Sequence, residues 1–375
     1  MKKIVFLSGT RADFGKIKSL LLALEAHKAF EVYLFVTGMH MMEEYGFTVL
    51  EVKRTGMKHI ETFENHTSES TMELSLAQTI VGFSKYVRKI KPDMVVVHGD
   101  RVEALAGAIV GSLNNILVSH IEGGELSGTI DELMRHAASK MSHIHFVSNE
   151  EAKKRLVQMG ETSNSIRVIG SPDIDVLMSD SLPPLNVAKS YYGISFSDFA
   201  IGIFHPITTE NEQIAMQAKA YLQALENSGL NYVLIYPNND LGSKTIIEKL
   251  SDYKDHPRFR ILPSLRFEYF LTLLKNARFI VGNSSAGIRE APYSGVPTVN
   301  IGTRQNNRYF GDSILNTSYD SKAILKAIEK ANSTSHRPAV QPFGRGNSTA
   351  LFMAYLESDE PWSTPKQKQF VESLL

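Results

Sequence analysis

Short β-branched and aromatic runs alternate with longer helical stretches along the chain, and this alternation sets the architecture. In the first half the runs are Ile4–Leu7, Glu31–Val36, Met94–His98, Ile116–Ser119, His143–Val147 and Arg167–Ile169. Strands separated by helices imply βαβ units and a parallel sheet. The pattern restarts at Ala200–Phe204 and continues through Tyr232–Tyr236, Phe259–Ile261, Phe279–Val281 and Thr298–Asn300. Two such sets predict an α/β protein of two doubly wound domains. Proline and glycine punctuate the interval between them, in Gly170-Ser-Pro-Asp-Ile-Asp175 and Ser181-Leu-Pro-Pro184. The boundary is therefore expected near residue 175, giving domains at 1–175 and 176–355. Beyond that the chain turns polar, and 356–375 is expected to form a C-terminal helix packing back on the first domain.

The length of 375 residues suits two domains, each with its own core. Forty basic residues balance forty acidic ones, which argues against a bulk nucleic-acid binder. With no cysteine, disulfides, thiolate metal sites and a cysteine nucleophile are all excluded. Lys2 and Lys3 precede an apolar run that stops at Ser8-Gly9, too short for a signal peptide, so Ile4–Leu7 reads as a first buried strand. No window approaches the ~20 apolar residues of a membrane helix, and a cytoplasmic protein without a membrane partner is expected.

Candidate chemistry collects after the strands, where open α/β sheets place their sites. Gly9-Thr-Arg11-Ala-Asp13-Phe-Gly15 opens the helical run Lys16–Leu24. Its backbone N–H groups suit a phosphate, with Arg11 to pair a diphosphate, while Asp13 reads also as a helix cap. The G-x-G-x-x-G fingerprint is missing, which disfavours a nicotinamide cofactor. His98-Gly-Asp100-Arg101 ends an apolar strand, so Asp100 projects into the crevice with Arg101 beside it; capping of the Val102–Leu113 helix is the alternative. The segment from His120 to His136 is the densest, with Glu122, Glu125, Asp131 and Glu132 around Gly123-Gly124. The glycines are expected to let backbone approach a ligand. Asp131 and Arg135 share a helix face, where a solvated ion pair is the plain reading. Beside Glu122, the crowded carboxylates point to acid–base chemistry, since one of them should hold its proton near neutral pH.

In the second half His205-Pro-Ile-Thr-Thr209 and Tyr236-Pro-Asn238 again follow strands. Gly282-Asn-Ser284-Ser285-Ala-Gly-Ile-Arg-Glu290 is a small-residue turn opening a helix, a phosphate cradle with Glu290 one turn on to accept ribose hydroxyls. A serine N-cap fits the same residues. Arg304, after the last strand, adds a cation.

Together the segments HGDR, HIEGGELSGTIDELMRHA, HPITT, YPNNDLGSK, GNSSAGIREA and GTRQ resemble the hydrolysing UDP-N-acetylglucosamine 2-epimerases of sialic acid biosynthesis, from residue 3 to about residue 350. Non-hydrolysing epimerases carry a HxEAGLR-type loop where this chain has His120-Ile-Glu-Gly-Gly-Glu-Leu-Ser-Gly, so the hydrolysing branch is favoured. The resemblance implies the GT-B architecture of two Rossmann-like domains facing a central cleft, with the nucleotide held mostly by the second. It places the acid–base carboxylates on Asp100, Glu122 and Asp131, and His205 with Asn238 near the nucleotide sugar. Gly282, Ser284 and Ser285 would hold the diphosphate and Glu290 the ribose. Arg11, Arg101, Arg135 and Arg304 would meet substrate or phosphate charge. The implied partner is a small-molecule nucleotide sugar, the implied assembly a homo-oligomer, dimer or tetramer, built through first-domain helices, and the implied setting capsule or surface polysaccharide synthesis. No cofactor is implied, and no metal, because the acids lack a histidine-rich ligand set. Enzymes acting on UDP- or GDP-linked 2,4-diacetamido-trideoxy sugars share these motifs, and GT-B glycosyltransferases share the fold.

Overall fold

A computed structural model of the chain describes residues 1–66, 71–309, 311–334 and 339–372. It divides into two compact units, one of residues 1–125, 131–179 and 343–375, the other of 126–130 and 180–342. Among the described residues no helix is long and apolar enough to cross a membrane.

The first unit is built on seven parallel strands: β1 (Lys2–Ser8), β2 (Phe30–Val36), β3 (Ile60–Thr62), β4 (Met94–His98), β5 (Leu117–Ile121), β6 (Ile144–Val147) and β7 (Ile166–Val168). Their order is β3-β2-β1-β4-β5-β6-β7. The central strands β4 and β5 are buried throughout, as expected where helices cover both faces of a parallel sheet. The strand order reverses between β1 and β4, which opens a crevice at their carboxyl ends. Ser8-Gly9 and His98-Gly99-Asp100 lie there. The helix Arg11–Ala26 starts at a capping box in which Thr10 and Asp13 satisfy each other's backbone N–H groups, and it buries Ile17, Leu20 and Leu24 against the sheet.

The second unit repeats the plan with six parallel strands: β8 (Ala200–Ile203), β9 (Tyr232–Ile235), β10 (Phe259–Leu262), β11 (Ile280–Gly282), β12 (Thr298–Ile301) and β13 (Ile314–Thr317). The order β10-β9-β8-β11-β12-β13 again reverses, here between β8 and β11. Gly282 at that point has φ +136°, and a Cβ would fall 1.9 Å from the Ile203 carbonyl oxygen. Only glycine lets the two strand ends lie this close.

Two strands escape the sequence pattern, β3 and β13. Both are sheet edges of three or four residues and neither carries a continuous apolar run. The boundary expected at 175 falls instead after Ser179. Asp175 is no linker end: its carboxylate accepts from the Ser348 and Thr349 amides at 2.9 and 2.6 Å, capping the helix Ser348–Glu357. The return to the first unit accordingly begins at Phe343, whose carbonyl accepts from Ser171 N at 2.7 Å. That helix buries Phe352 and Leu356 in the first core.

The helix expected over 356–375 is also corrected. Past Glu357 the described residues hold only a short 3-10 turn, Pro361–Ser363. Pro361 and Pro365 break helical hydrogen bonding there. The extended tail is held instead by Lys368, whose ammonium donates to the Lys140 and Ser142 carbonyls and to Glu161 Oε2 at 2.8, 2.6 and 2.7 Å.

Candidate active site

In the first unit two of the expected carboxylates, Asp100 and Glu122, meet around one arginine. Arg135, on the helix Ile130–Met141, is fully buried and donates to Asp100 through Nη2 and to the Glu125 carbonyl through Nη1 at 3.2 Å. The same Nη2 stands 3.8 Å from Glu122 Oε1. Arg135 is thus buried on Asp100 and not solvated, which corrects the expectation of a solvated ion pair on that helix. Asp131 sits half-buried in the first turn of that helix, one turn before Arg135.

Glu122 follows β5 with φ +71°, a left-handed backbone that costs a non-glycine residue about 1 kcal/mol. Its amide donates to Phe146 O at 3.0 Å. The carboxylate faces His98 Nε2 at 3.0 Å and Lys16 Nζ at 3.4 Å through the same oxygen, Oε2. Lys16 also stands 3.9 Å from Asp173, a fully buried carboxylate. The acids are thus interleaved with cations rather than stacked on one another, and Coulomb attraction offsets the repulsion between them. Sequence reasoning assigned no role to His98, Lys16 or Asp173. His98 stood inside the HGDR motif, whereas nothing along the chain marks Lys16 or Asp173.

His120 is structural. Its Nε2 donates to Gly99 O at 2.8 Å, which leaves Nδ1 to accept from the Ser139 hydroxyl at 2.9 Å. Burial drives its pKa down to about 3, so the ring is neutral. The glycine pair serves packing: a Cβ on Gly124, at φ +72°, would lie 2.3 Å from Ala152 O. In the Gly9–Gly15 turn Asp13 acts as the expected helix cap, its Oδ2 taking up the Gly9 and Thr10 amides at 2.9 and 3.2 Å. Burial pushes Asp13 up to about 6 against the hydrogen bonds from Ser8 and Gly9. Arg11 pairs with Glu51 at 2.5 Å, and Arg101 Nε lies 3.8 Å from Glu103.

In the second unit one asparagine fastens the two strand ends. Asn283 Oδ1 accepts from His205 N at 2.6 Å and its Nδ2 donates to His205 O at 2.9 Å. His205 Nδ1 in turn accepts from the Asn238 amide at 3.0 Å, which fixes the neutral ring as the Nε2–H donor. Arg304 and Gln305 both donate to the Asn283 carbonyl, at 3.2 and 2.7 Å. His205, Asn238, Gly282 and Arg304 therefore come together around Asn283, which sequence reasoning passed over as a turn residue. Ser284 and Ser285 are half-buried before the short helix Ala286–Arg289, with Ser284 Oγ accepting from Ala286 N at 3.3 Å, and Glu290 is buried just after it. Residues 126–130 join this unit, where Gly128 N donates to Arg304 O at 3.0 Å.

Comparison with known proteins gives a consistent result. Residues 22–357 match the family described as UDP-N-acetylglucosamine 2-epimerase. The chain is 50 % identical to a UDP-N-acetylglucosamine 2-epimerase of Neisseria meningitidis serogroup B, over 99 % of each. It is 36 % identical to a UDP-N,N'-diacetylbacillosamine 2-epimerase (hydrolyzing) of Legionella pneumophila, over 88 % of this chain and 89 % of that one. Among solved structures, the UDP-GlcNAc 2-epimerase of Methanocaldococcus jannaschii in complex with UDP-GlcNAc and UDP superimposes with a TM-score of 0.80 at 22 % identity, over 95 % of this chain and 99 % of that chain. That likeness is one of fold.

Proposed function

We propose, from the premise that the chain belongs to the UDP-N-acetylglucosamine 2-epimerase family, that it is a hydrolysing 2-epimerase converting UDP-N-acetylglucosamine and water to N-acetylmannosamine and UDP. Such a reaction would supply the amino sugar for a sialic acid type of surface polysaccharide. The observation that carries the reading is the meeting of Asp100 and Glu122 on Arg135, with Asp131 one turn away in a Glu-Leu-Ser-Gly-Thr-Ile-Asp context.

The C2 proton of a 2-acetamido sugar has no neighbouring carbonyl to acidify it, so cleavage of the anomeric C–O bond has to lead. UDP departure creates an oxocarbenium-like centre that makes C2–H acidic. Its negative charge is met by fixed donors, for which His205 Nε2–H, the Ser284–Ser285 turn and Arg304 are suited. In the α-gluco substrate the C2 hydrogen and UDP lie on opposite faces, so anti elimination yields a 2-acetamidoglucal. Water then adds at C1 while a proton reaches C2 from the opposite face, giving the manno product. Two differently placed carboxylates are required, and Asp100, Glu122 and Asp131 supply the candidates.

The test is incubation with UDP-N-acetylglucosamine in D₂O without any sugar acceptor. Expected are UDP and N-acetylmannosamine carrying deuterium at C2. Product lacking that deuterium would sink the elimination step, and accumulation of UDP-N-acetylmannosamine would replace hydrolysis with reversible epimerisation. The Legionella relative favours one second reading, a diacetamido sugar nucleotide as substrate. UDP-N,N'-diacetylbacillosamine run in the same assay decides by the ratio of kcat/KM values.

A further inference from the structure

Glu122 is buried, and as one of the candidate acid–base carboxylates of the proposed reaction it has to change protonation state when it serves. In the elimination the C2–H electron pair becomes the C1–C2 double bond, the C1–O pair leaves with UDP, and the proton passes to a carboxylate. In the hydration a water oxygen bonds C1, that water gives one proton to a base, and a carboxylic acid gives one to C2. The protein takes up two protons and returns one, while UDP departs with the matching negative charge. One proton must leave the site in every turnover, and a buried carboxylate that has served as acid or base must be reset.

His98 is the residue placed to do this. It ends β4 with its side chain buried, and Nε2 lies 3.0 Å from Glu122 Oε2, close but poorly aligned for a hydrogen bond. Its other ring nitrogen has no hydrogen-bond partner among the described residues. A buried imidazole nitrogen left without a partner is uncommon and calls for a reason. The charged groups around the pair come from several elements: Lys16 from the helix Arg11–Ala26 and Arg135 from the helix Ile130–Met141 face Glu122, and Asp13 and His120 act on His98.

We propose that His98 is a positioning residue for Glu122 and its proton-exchange partner. The proton moves from Glu122 Oε2 to His98 Nε2, leaving a carboxylate and an imidazolium, and the imidazolium then gives it up to solvent. This deepens the hydrolysing reading above and rests on it.

Wild-type turnover in the acceptorless assay comes first. His98→Gln and His98→Asn are then expected to lower kcat at least ~10-fold, with KM and UDP affinity changed by less than about twofold. His98→Ala should regain turnover when free imidazole is added, a rescue that a packing role does not give. A His98→Gln enzyme within about twofold of wild-type kcat, or a loss in His98→Ala that imidazole leaves untouched, overturns the proposal. A measurement independent of activity accompanies these. ¹⁵N-histidine NMR at neutral pH should show the His98 Nε2 resonance move in Glu122→Gln, where a neutral amide replaces the carboxylate that faces it. An unchanged resonance also overturns the proposal. If wild type processes no sugar nucleotide, the functional reading fails on its own, while the NMR still judges the pair.

Discussion

Glu122, just past β5, and Asn283, at the reversal point of the second sheet, both fix a strand end, one by holding a carboxylate on a strained backbone and the other by tying two strand ends together. Glu122→Gln and Asp131→Asn are each expected to lower kcat by at least ~10², with UDP binding unchanged in isothermal titration. Retention of near wild-type turnover by both would remove these carboxylates from the chemistry. Asn283→Ala deletes two hydrogen bonds from a buried position and leaves the His205 backbone unsatisfied. It should destabilise by about 1–3 kcal/mol in urea unfolding. The carboxylates were legible in the sequence because each lies at a strand end or in a run of acids. Lys16 was not, since it meets Glu122 across 106 positions of chain and lies within an ordinary helical pattern.

Among the elements, central strands announced themselves through unbroken apolar runs, whereas β3 and β13 were silent because an edge strand needs little burial. The tail beyond Glu357 misled for another reason: its prolines exclude a helix, and what fastens it is Lys368, bound to two backbone carbonyls and to the buried Glu161 carboxylate. Burial works against ionising Glu161, but hydrogen bonds from His145 and Lys368 outweigh it and hold its pKa at about 2, against an ordinary 4.5. Its stabilising effect is therefore complete above pH 4.5 and is lost as pH falls towards 2. Glu161→Gln should release the tail even at neutral pH. Limited trypsin digestion is expected to cut after Lys366 or Lys368 faster in that variant than in wild type, and equal rates would remove Glu161 from this role.

Over the whole molecule, the restart of the strand pattern revealed two sheets of the same reversed order, but the exchange of segments between units was invisible. It depends on Asp175 and Gly128 finding partners far away. The first unit should also be acid-sensitive. Burial holds His40 and His120 each at about 3, so the unfolded chain takes up protons first and stability falls as pH drops from about 6.5 towards 3. Asp13, raised to about 6, runs the other way and strengthens the fold as pH falls from 6 towards 3.8. Two histidines outweigh one aspartate, and the net loss should reach several kcal/mol on the order given by such shifts. The single tryptophan, Trp362, lies in this unit and reports its urea midpoint. A midpoint constant between pH 7 and pH 4 would refute the expectation.

The return of the chain at Phe343 has a bearing on biosynthesis. Phe352, whose ring lies tilted 4.8 Å from that of Phe146, and Leu356 belong to the first core yet are translated after all of residues 180–342. On the ribosome, the N-terminal sheet must wait with that part of its core unfilled while the inserted sheet is made. A chaperone's longest engagement with this nascent chain should therefore fall on the half that was synthesised first.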